Sequence, residues 1–463
     1  MSTLADDIID ENIPAIQIHL QSGVEVNDVD EYGFTPLIEA AIADNFEIAK
    51  LLLDYRADVN MQDMTGGTAL HWAAENNNLE LAQLLLNHGA NPNAYTLAGQ
   101  PVLVMPLLRQ QQQLKSLLLE NGAVLSFAQD FINAKLLGHM FELVGKANIV
   151  DVQNEFIELD FEGFILEFTI GLISDSLEQF KNHYAARQLR RYASVVQIII
   201  EVLQRASQLM KYQQYRVNLQ NFQFQIDTLL QQEPILIPIG YEGHAITFIK
   251  MKNILIKCDR REESRLYDNI VFYQMAHPEV FTADFIKHMM YEPQTFEFIN
   301  EELHHVLGLH PMMELKVSAQ ISGNCSWANV EAVIPAIFFL LCSSAEDFHK
   351  NIVQYKNVAL NFFQQWREWN QDRALHACIE SFKYSDTLRR TCKAEILGAI
   401  LFQTATSEET RMKMARVEDI LSVLMQPEYE YVLKNYVTSY CYEDIGKEGK
   451  AFLQLLKRYG YKA

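Results

Sequence analysis

The chain is poor in the residues that mark fibrous, low-complexity and disulfide-rich proteins. Its 463 residues include only 19 glycines, 12 prolines and six cysteines. Such low glycine and proline contents exclude a collagen-like or low-complexity chain. No two cysteines form a Cys-x-x-Cys pair, which predicts reduced thiols and argues against a disulfide scaffold or a zinc knuckle. The cysteines are Cys258, Cys325, Cys342, Cys378, Cys392 and Cys441.

Long apolar segments are also missing. The longest apolar run, Val333 to Cys342, contains a proline and is too short to cross a bilayer, so we expect no membrane span. The first residues, MSTLADDIIDENIP, are acidic and lack the apolar core of a signal peptide. With 49% hydrophobic and 21% charged residues, the composition is that of a globular chain, and its length predicts two or three domains.

Positive charge is scarce as well. The chain has 38 Lys and Arg against 59 Asp and Glu, a net charge of −21, which argues against direct binding to nucleic acid. The imbalance is concentrated before Phe127, where 17 acidic and four basic residues give a net charge of −13. This change in composition predicts a domain boundary near residue 127. The acidic segment is either a well-solvated module or a surface that attracts a basic partner.

The N-terminal segment repeats with a period of 33 residues. Thr35 and Thr68 lie one period apart in the similar motifs GFTPL and GGTALH. Four units in one register predict a solenoid of stacked repeats. The same step relates three Leu triplets, at 51–53, 84–86 and 117–119, and three asparagines, Asn27, Asn60 and Asn93.

These motifs resemble ankyrin repeats, in which a Thr-Pro-Leu-His-type turn, two antiparallel helices and a Gly-Ala/Asp-x-Asn hairpin form one unit. The third unit, TALHWAAENNNLELAQLLLNHGANPN, is the best match, with Thr68 as a helix cap and Gly89 as a left-handed helix end. The resemblance implies four ankyrin repeats over residues 1–127 that bind a protein through the hairpin tips and the concave helix face. The predicted contact residues, each of which could equally pack within the repeats, are Tyr32, Phe34, Trp72, Asn76 and Tyr95.

The rest of the chain predicts helices around a small strand-rich segment, and hence an α+β, mostly helical fold. Residues 129–232 show apolar spacing of three and four, which is typical of helices. From residue 233, β-branched alternation and glycine punctuation predict two strands joined by a Met-Lys-Asn turn, followed by strands at 269–274 and in MELKVSAQ. The apolar segment VEAVIPAIFFLLC and residues 345–463 again predict helices. The basic cluster of Arg187, Arg190 and Arg191 is interpreted as a solvated helix face.

Four residues of the strand-rich segment form a candidate catalytic set. Cys325 follows a Ser-Gly-Asn sequence at a predicted helix start, where the backbone N–H groups and the helix dipole lower a thiol pKa. A thiolate nucleophile needs an imidazole and a carboxylate that orients it. His244 opens one predicted strand and Asp259 follows the next, so the hairpin brings the two together. Gln320, five residues before the cysteine, could donate to an oxyanion.

The order His, Asp, Gln, Cys resembles the clan that contains the ubiquitin-like-protein proteases, adenovirus protease and the Yersinia-type acetyltransferase effectors. The segments HAITFIKMKNILIKCD and QISGNCSWAN match both parts of the clan's pattern in order and spacing. The resemblance implies that Cys325 is the nucleophile, His244 the base, Asp259 its orienting carboxylate and Gln320 an oxyanion donor. Ala245 departs from the pattern, because many members of the clan have a Trp after the His.

Two other interpretations are weaker. NCSWAN resembles the Cys-Trp segment of papain, but papain needs a catalytic His far downstream, and only His349 and His376 follow Cys325, both close by and in helical contexts. His304 and His305 suggest a metal-site fragment, but neighbouring residues point apart on a helix. We therefore expect no metal and no cofactor.

The whole combination resembles the ankyrin-repeat effectors that Legionella injects into host cells. We assign residues 1–127 to the repeats, 128–232 to a helical insertion or the first part of a second domain, 233–344 to a cysteine-protease-like core and 345–463 to a helical C-terminal region. The resemblance implies type IV secretion, binding of a host protein by the repeats, and action in the host cytoplasm or nucleus. We expect a monomeric cysteine-protease-like hydrolase of peptide or isopeptide bonds. A non-catalytic scaffold with the same fold and an acetyltransferase with the same triad remain as alternatives.

Overall fold

A computed structural model describes most of the chain and divides it into two compact units. The described residues are 3–30, 33–163, 165–212, 219–241, 243–261, 269–321, 323–343, 350–405, 411–441 and 446–461. The first unit comprises Met1–Ala134, Lys146–Asp160 and Thr387–Cys392. The second comprises Lys135–Gly145, Phe161–Asp386 and Lys393–Ala463.

The first unit contains four antiparallel helix pairs, as the repeat pattern predicts. The pairs are α1 (Leu4–Ile9) with α2 (Ile13–Gln21), α3 (Pro36–Ile42) with α4 (Phe46–Asp54), α5 (Ala69–Glu75) with α6 (Leu79–Asn87), and α7 (Val104–Leu108) with α8 (Gln112–Glu120). Thr35 caps α3 by accepting a hydrogen bond from the Ile38 N–H at 3.2 Å, and Thr68 forms a capping box with His71 at the start of α5. Gly89 follows α6 with a φ of +89°, the left-handed conformation that glycine adopts without strain.

The 33-residue period of the asparagines has a direct structural cause. Each asparagine side chain spans the gap to the hairpin of the following repeat. Asn60 donates to the Gly89 carbonyl at 3.1 Å and accepts from the Asn91 N–H at 2.8 Å. Asn93 repeats the arrangement one period later, donating to the Gly122 carbonyl at 2.9 Å and accepting from the Val124 N–H at 2.8 Å. These bonds fix the spacing between successive repeats.

A β-hairpin lies in the first unit at a place where the sequence predicts only helix. Strands β1 (Lys146–Val150) and β2 (Phe156–Asp160) pair antiparallel, so the prediction of helix throughout 129–232 is wrong there. The turn depends on Asp151, whose carboxylate accepts from the N–H groups of Gln153 and Glu155, both at 2.8 Å. A turn of this kind reverses the chain, so a hairpin forms here instead of the predicted helix. The sequence does not reveal it, because strands of five residues are too short to show a clear period of two.

The second unit is built on a five-stranded antiparallel sheet with the strands in sequence order. The strands are β3 (Ile235–Tyr241), β4 (His244–Met251), β5 (Ile254–Cys258), β6 (Ile270–Met275) and β7 (Leu309–Leu315). The strands predicted after residue 233 and at 269–274 are therefore confirmed. The prediction for MELKVSAQ is correct only to Leu315, because the main chain of Val317 is bonded by the Asn269 side chain and not by a strand.

Helices cover the sheet and form the rest of the second unit. Apolar helices α15 (Cys325–Glu331) and α16 (Val333–Cys342) pack on β4 and β5. By length and composition Cys325–Cys342 could cross a membrane, but 89% of this segment is buried inside the protein, as in a core helix. The remaining helices confirm the mostly helical prediction: α9 (Leu125–Met140), α10 (Leu166–Asn182), α11 (Ala193–Lys211), α12 (Gln223–Leu230), α13 (Ala283–Tyr291), α14 (Leu303–Leu307), α17 (Ile352–Tyr384), α18 (Thr387–Ala405), α19 (Arg411–Leu424), α20 (Glu430–Tyr440) and α21 (Lys447–Arg458).

Candidate active site

The hairpin of β4 and β5 brings His244 and Asp259 together. His244 is the first residue of β4, Asp259 directly follows β5, and the two strands pair antiparallel with Thr247 opposite Cys258. The His244 Nε2 atom lies 3.0 Å from Asp259 Oδ1. Both side chains are mostly buried, so water screens their interaction little. A carboxylate in this position holds the imidazole in one orientation and one tautomer.

Cys325 joins this pair from the other side. It is the first residue of α15, and its Sγ atom accepts a hydrogen bond from the Ala245 backbone N–H at 3.3 Å. The His244 side chain interacts with this thiol closely enough to lower its pKa. Because Nε2 of His244 contacts Asp259, Nδ1 is left to face the thiol. The residue after the histidine thus contributes through its backbone, which explains why alanine can occupy this position.

The surroundings favour the charged forms of all three groups. Burial alone would raise the pKa of Cys325, but hydrogen bonds from His244 and the Ala245 N–H outweigh it and lower that pKa below its usual range. Burial alone would lower the pKa of His244, but its bonds to Asp259 and Cys325 raise it. The pKa of Asp259 is lowered in spite of burial, chiefly by His244. Each shift favours the charged form of its group, the thiolate of Cys325 and the imidazolium of His244.

Two polar atoms near Cys325 in the chain are buried and have no partner among the described residues. They are Gln320 Oε1 and Ser326 Oγ. The main chain of Gln320 is tied to the aspartate side of the hairpin, because its N–H donates to the Arg260 carbonyl at 2.9 Å. Buried polar atoms normally have partners, so these two atoms, which flank Cys325 in the sequence, are candidates for contact with a ligand.

Asn329 is a site residue that the sequence analysis missed. It lies one helical turn after Cys325 and is 1% exposed. Its Nδ2 donates to the Ala245 carbonyl at 2.6 Å, and its Oδ1 accepts from the Arg260 N–H at 2.7 Å. One side chain therefore binds the residue after the histidine and the residue after the aspartate. Its distance of four residues from Cys325, on the same helix face, is the only signal in the sequence that could have suggested it.

A buried ionic cluster lies behind these residues. Arg260, which is fully buried, pairs with Glu142 at 3.1 Å and with Glu331 at 3.5 Å. Arg367 completes the cluster, with distances of 2.6 Å to Glu142 and 3.3 Å to Glu331. Arg260 also donates to the Ser318 carbonyl at 2.7 Å. The cluster links the end of the hairpin to helix α15 and to the segment that leads to Gln320, with each buried charge paired.

The loop before Cys325 has a strict requirement for glycine. Gly323 has a φ of +74°, and a Cβ atom there would collide with the Glu162 side chain. Its carbonyl accepts from the Gly163 N–H at 3.3 Å. Gly323 thus allows the main chain before α15 to lie close to that of residues 162–163, and this contact positions the start of α15.

An aromatic group flanks the histidine. The Tyr241 ring meets the His244 ring edge to face, with 5.5 Å between centroids. Phe296, an exposed residue, lies beyond it with its ring centroid 6.3 Å from that of Tyr241. The Tyr241 hydroxyl accepts from Arg261 at 3.4 Å. These side chains limit how the imidazole can rotate.

The predicted contact residues of the repeats are mostly engaged within the repeats themselves. Phe34 and Trp72 meet edge to face at 6.3 Å, and Tyr95 meets Phe127 in the same way at 5.8 Å. Asn76 donates to the Ala41 carbonyl at 2.9 Å. Tyr32 lies outside the described residues. All four described residues are half-buried, and their role in contact with a partner stays a prediction.

The hairpin tips expose two apolar residues that the sequence analysis did not select. Met64 is 68% exposed and Leu97 is 77% exposed, and they lie one 33-residue period apart. The Leu97 N–H donates to the Thr65 carbonyl at 2.8 Å, so the two tips are stacked. Large exposed apolar residues in adjacent rigid tips are suited to contact with another protein.

No arrangement for metal binding is present in the part of the chain that the structure describes. No group of three or more His, Cys, Asp or Glu side chains there is placed to hold a metal ion. His304 instead packs its ring against Tyr273, with 5.1 Å between centroids.

Comparison with known proteins identifies both the repeats and the chain as a whole. A family model described as ankyrin repeats, three copies, matches residues 7–96. Among solved structures, that of the Legionella effector AnkH is 40% identical and has a TM-score of 0.85, and the alignment covers 100% of this chain and 98% of that one. No curated protein matches the chain.

Proposed function

This chain belongs to the family of the Legionella effector AnkH, and on that premise we propose that it is a secreted effector that hydrolyses peptide or isopeptide bonds of a host protein. The observation that carries the proposal is the placement of Cys325 beside the start of β4 by the 3.3 Å hydrogen bond from the Ala245 N–H, together with the 3.0 Å contact of His244 with Asp259. A nucleophile, a base and an orienting carboxylate in this geometry are the minimum that cysteine hydrolysis needs.

The first half of the reaction forms a thioester. The Cys325 thiolate attacks the carbonyl carbon of the scissile bond, and the carbonyl π electrons move to the oxygen. The N–H groups at the start of α15 and the side-chain amide of Gln320, when its Nε2 faces the substrate, donate to this oxyanion. As the tetrahedral intermediate collapses, the C–N bond breaks and the His244 imidazolium gives its proton to the leaving amine.

The second half restores the thiol. Neutral His244 takes a proton from water, and the hydroxide attacks the thioester carbon. The C–S bond breaks, the carboxylic product leaves, and the proton on His244 restores the ion pair with the Cys325 thiolate. Asp259 remains ionised throughout, since its task is to orient and stabilise the imidazolium. Asn329 acts as a positioning residue that keeps the helix and the two strand ends in register.

The repeats supply the host protein. Ankyrin repeats serve protein–protein interaction, and we assign recruitment to the surface that includes Met64, Leu97 and the predicted residues around Trp72. When the repeats bind the host protein, the effective concentration of its scissile bond at Cys325 rises. A modest affinity of the active site for the bond itself is then sufficient.

Hydrolysis is tested by asking which bonds are cut only when Cys325 is present. The full-length protein and a Cys325→Ala variant are incubated with host-cell extract, and new α-amino termini and freed lysines are quantified by mass spectrometry. We expect a set of new termini or lysines that requires Cys325. The matched control, Cys378→Ala, removes a thiol of α17 and should give the same set as the native protein.

Three results separate the possible outcomes. Identical products from the native protein and Cys325→Ala would refute hydrolysis. Acetyl groups that appear on host Ser, Thr or Lys only when acetyl-coenzyme A and Cys325 are both present would replace hydrolysis by acyl transfer. Capture of a host protein without any covalent change in it would leave a scaffold.

A further inference from the structure

A nine-residue 3₁₀ helix, Tyr184–Tyr192, carries a basic cluster that the proposed hydrolysis does not use. Helices of this type rarely exceed three or four residues, and they have three residues per turn. The sequence analysis interpreted the cluster as the solvated face of an α-helix. The period of three changes which side chains are neighbours, because residues three apart lie directly above one another.

The helix therefore sorts its side chains into straight rows. One row packs against the protein: Ala186 and Leu189 are buried and Tyr192 is half-buried. Of the two exposed rows, we define the one that carries two arginines as the basic row. It consists of Tyr184, Arg187 and Arg190.

Stacking on tyrosine holds part of this surface in place. The Arg187 guanidinium lies 4.3 Å from the ring centroid of Tyr184, although Tyr184 is itself 67% exposed. Beside the row, Arg191 stacks on Tyr192 at 4.7 Å. An arginine held by an aromatic face loses less conformational freedom when it binds an anion than a freely moving side chain does.

The charges of the cluster are not neutralised by the protein. None of Arg187, Arg190 and Arg191 forms an ion pair or a side-chain hydrogen bond with another described residue. Several other arginines are paired, as Arg416 is with Asp372 at 2.6 Å. An uncompensated positive row is unusual on a chain with a net charge of −21.

The spacing of the row indicates the shape of its ligand. With a rise of about 2 Å per residue, Arg187 and Arg190 are about 6 Å apart along the helix axis. Alternate side chains of an extended peptide project from one face at intervals of about 6.7 Å. Two carboxylates two residues apart on an extended segment therefore match the two guanidinium groups, each of which can bind a carboxylate through two N–H donors.

We propose that the basic row binds an extended acidic peptide segment of a partner protein, with acidic side chains at alternate positions and an apolar or aromatic side chain against Tyr184. A nucleic-acid strand fits less well, because its charge continues far beyond the row and would meet the acidic remainder of the chain. A short acidic segment needs only the two or three positive charges that the row provides. This inference is independent of the hydrolysis proposed for Cys325.

The proposal is tested on the full chain with fluorescent probes and measured by anisotropy at about 50 mM salt, where charge attraction is weakly screened. The first probe is a peptide of four Glu-Ser repeats, the second the matching Gln-Ser peptide, and the third a single-stranded oligonucleotide of equal length. We expect the Glu-Ser peptide to bind tighter than both others. The variant Arg187→Gln/Arg190→Gln should weaken it by about tenfold or more, which corresponds to ~1.4 kcal/mol.

For a comparison at equal charge, the single variant Arg190→Gln removes one charge within the row and should weaken binding of the Glu-Ser peptide by more than about threefold. Its matched control is Arg191→Gln, which removes one equally exposed positive charge outside the row. Arg191→Gln should weaken binding of the Glu-Ser peptide by less than about threefold, which is the effect expected from a general loss of positive charge. All three arginines are exposed, so the melting temperature should not change. Equal losses from the two single variants, equal binding of the Gln-Ser peptide, tighter binding of the oligonucleotide, or no binding of the Glu-Ser peptide would each overturn the proposal.

Discussion

Cys325, at the start of α15, and Cys258, at the end of β5, have opposite pKa shifts. Cys258, the last residue of β5, is fully buried, and burial raises its pKa to about 12. Cys325 is also partly buried, but His244 and the Ala245 N–H lower its pKa. The pKa values of these two cysteines shift in opposite directions, because only Cys325 has partners that favour the thiolate.

We expect Cys325 to be alkylated by iodoacetamide at pH 6–7 much faster than the other cysteines. His244→Ala removes the imidazolium that favours the thiolate, so the pKa of Cys325 should rise, and labelling at pH 6 should fall by about tenfold for each unit of that rise. Asp259→Asn should slow labelling less, since the carboxylate acts through the imidazole. Site-resolved mass spectrometry over a pH series measures the rates. Equally slow labelling of all cysteines, unaffected by His244→Ala, would contradict the triad.

Asn329 provides a second test at the level of single residues. Asn329→Ala removes the hydrogen bonds to the half-buried Ala245 carbonyl and the buried Arg260 N–H, and the unpaired buried N–H alone costs about 1–3 kcal/mol. Asn329→Asp keeps the acceptor for Arg260 but loses the donor to Ala245. We therefore expect the rate of Cys325 alkylation at pH 6 to be highest in the native protein, lower in Asn329→Asp and lowest in Asn329→Ala.

The control for Asn329 separates positioning from general stability. Asn370 is also buried and accepts from Ser176 at 2.7 Å, so Asn370→Ala should lower the melting temperature but leave the pH profile of Cys325 labelling unchanged. A change in that profile with Asn370→Ala, or none with Asn329→Ala, would remove Asn329 from the site.

At the scale of elements, the sequence predicts what depends on local patterns. Threonine caps, Leu triplets and β-branched alternation predict the repeats and strands β4 to β6, because each signal involves residues close in the chain. The 3₁₀ helix at 184–192 and the hairpin at 146–160 do not follow from such patterns. Asn329 was missed for a similar reason, since its partners lie 84 and 69 residues away.

The asparagine bridges between repeats give a prediction for one element. Asn93→Ala removes both bonds that link the third hairpin to the next repeat, and we expect the free energy of unfolding to fall by about 1–2 kcal/mol. Asn87→Ala, an exposed control in the same repeat, should change it by less than about 0.5 kcal/mol. Urea unfolding followed by circular dichroism measures both. Equal effects of the two substitutions would show that the bridges are not stabilising.

At the scale of the whole molecule, the surface proposed for recruitment and the site proposed for catalysis lie in separate units. We expect Met64→Asp/Leu97→Asp to reduce capture of a host partner by about tenfold, because charged tips resist burial. The same variant should leave alkylation of Cys325 unchanged, whereas Cys325→Ala should leave capture unchanged. Quantitative affinity purification and alkylation rates measure the two functions. Loss of alkylation in the tip variant would contradict their independence.

The order of the strands has a consequence for when the thiol becomes reactive. His244 and Asp259 meet by closing one hairpin, but Cys325 reaches them only when α15 docks on β4, 80 residues after Ala245 in the chain. Before that step Cys325 has no imidazole beside it and has the ordinary pKa of a cysteine, about 8.5. An unfolded chain therefore carries six similar thiols, and a distinct nucleophile arises only with the docked fold. The proposed nucleophile Cys325 therefore acquires its lowered pKa only when the protein folds, so no inhibitory segment is needed to keep the unfolded chain inert.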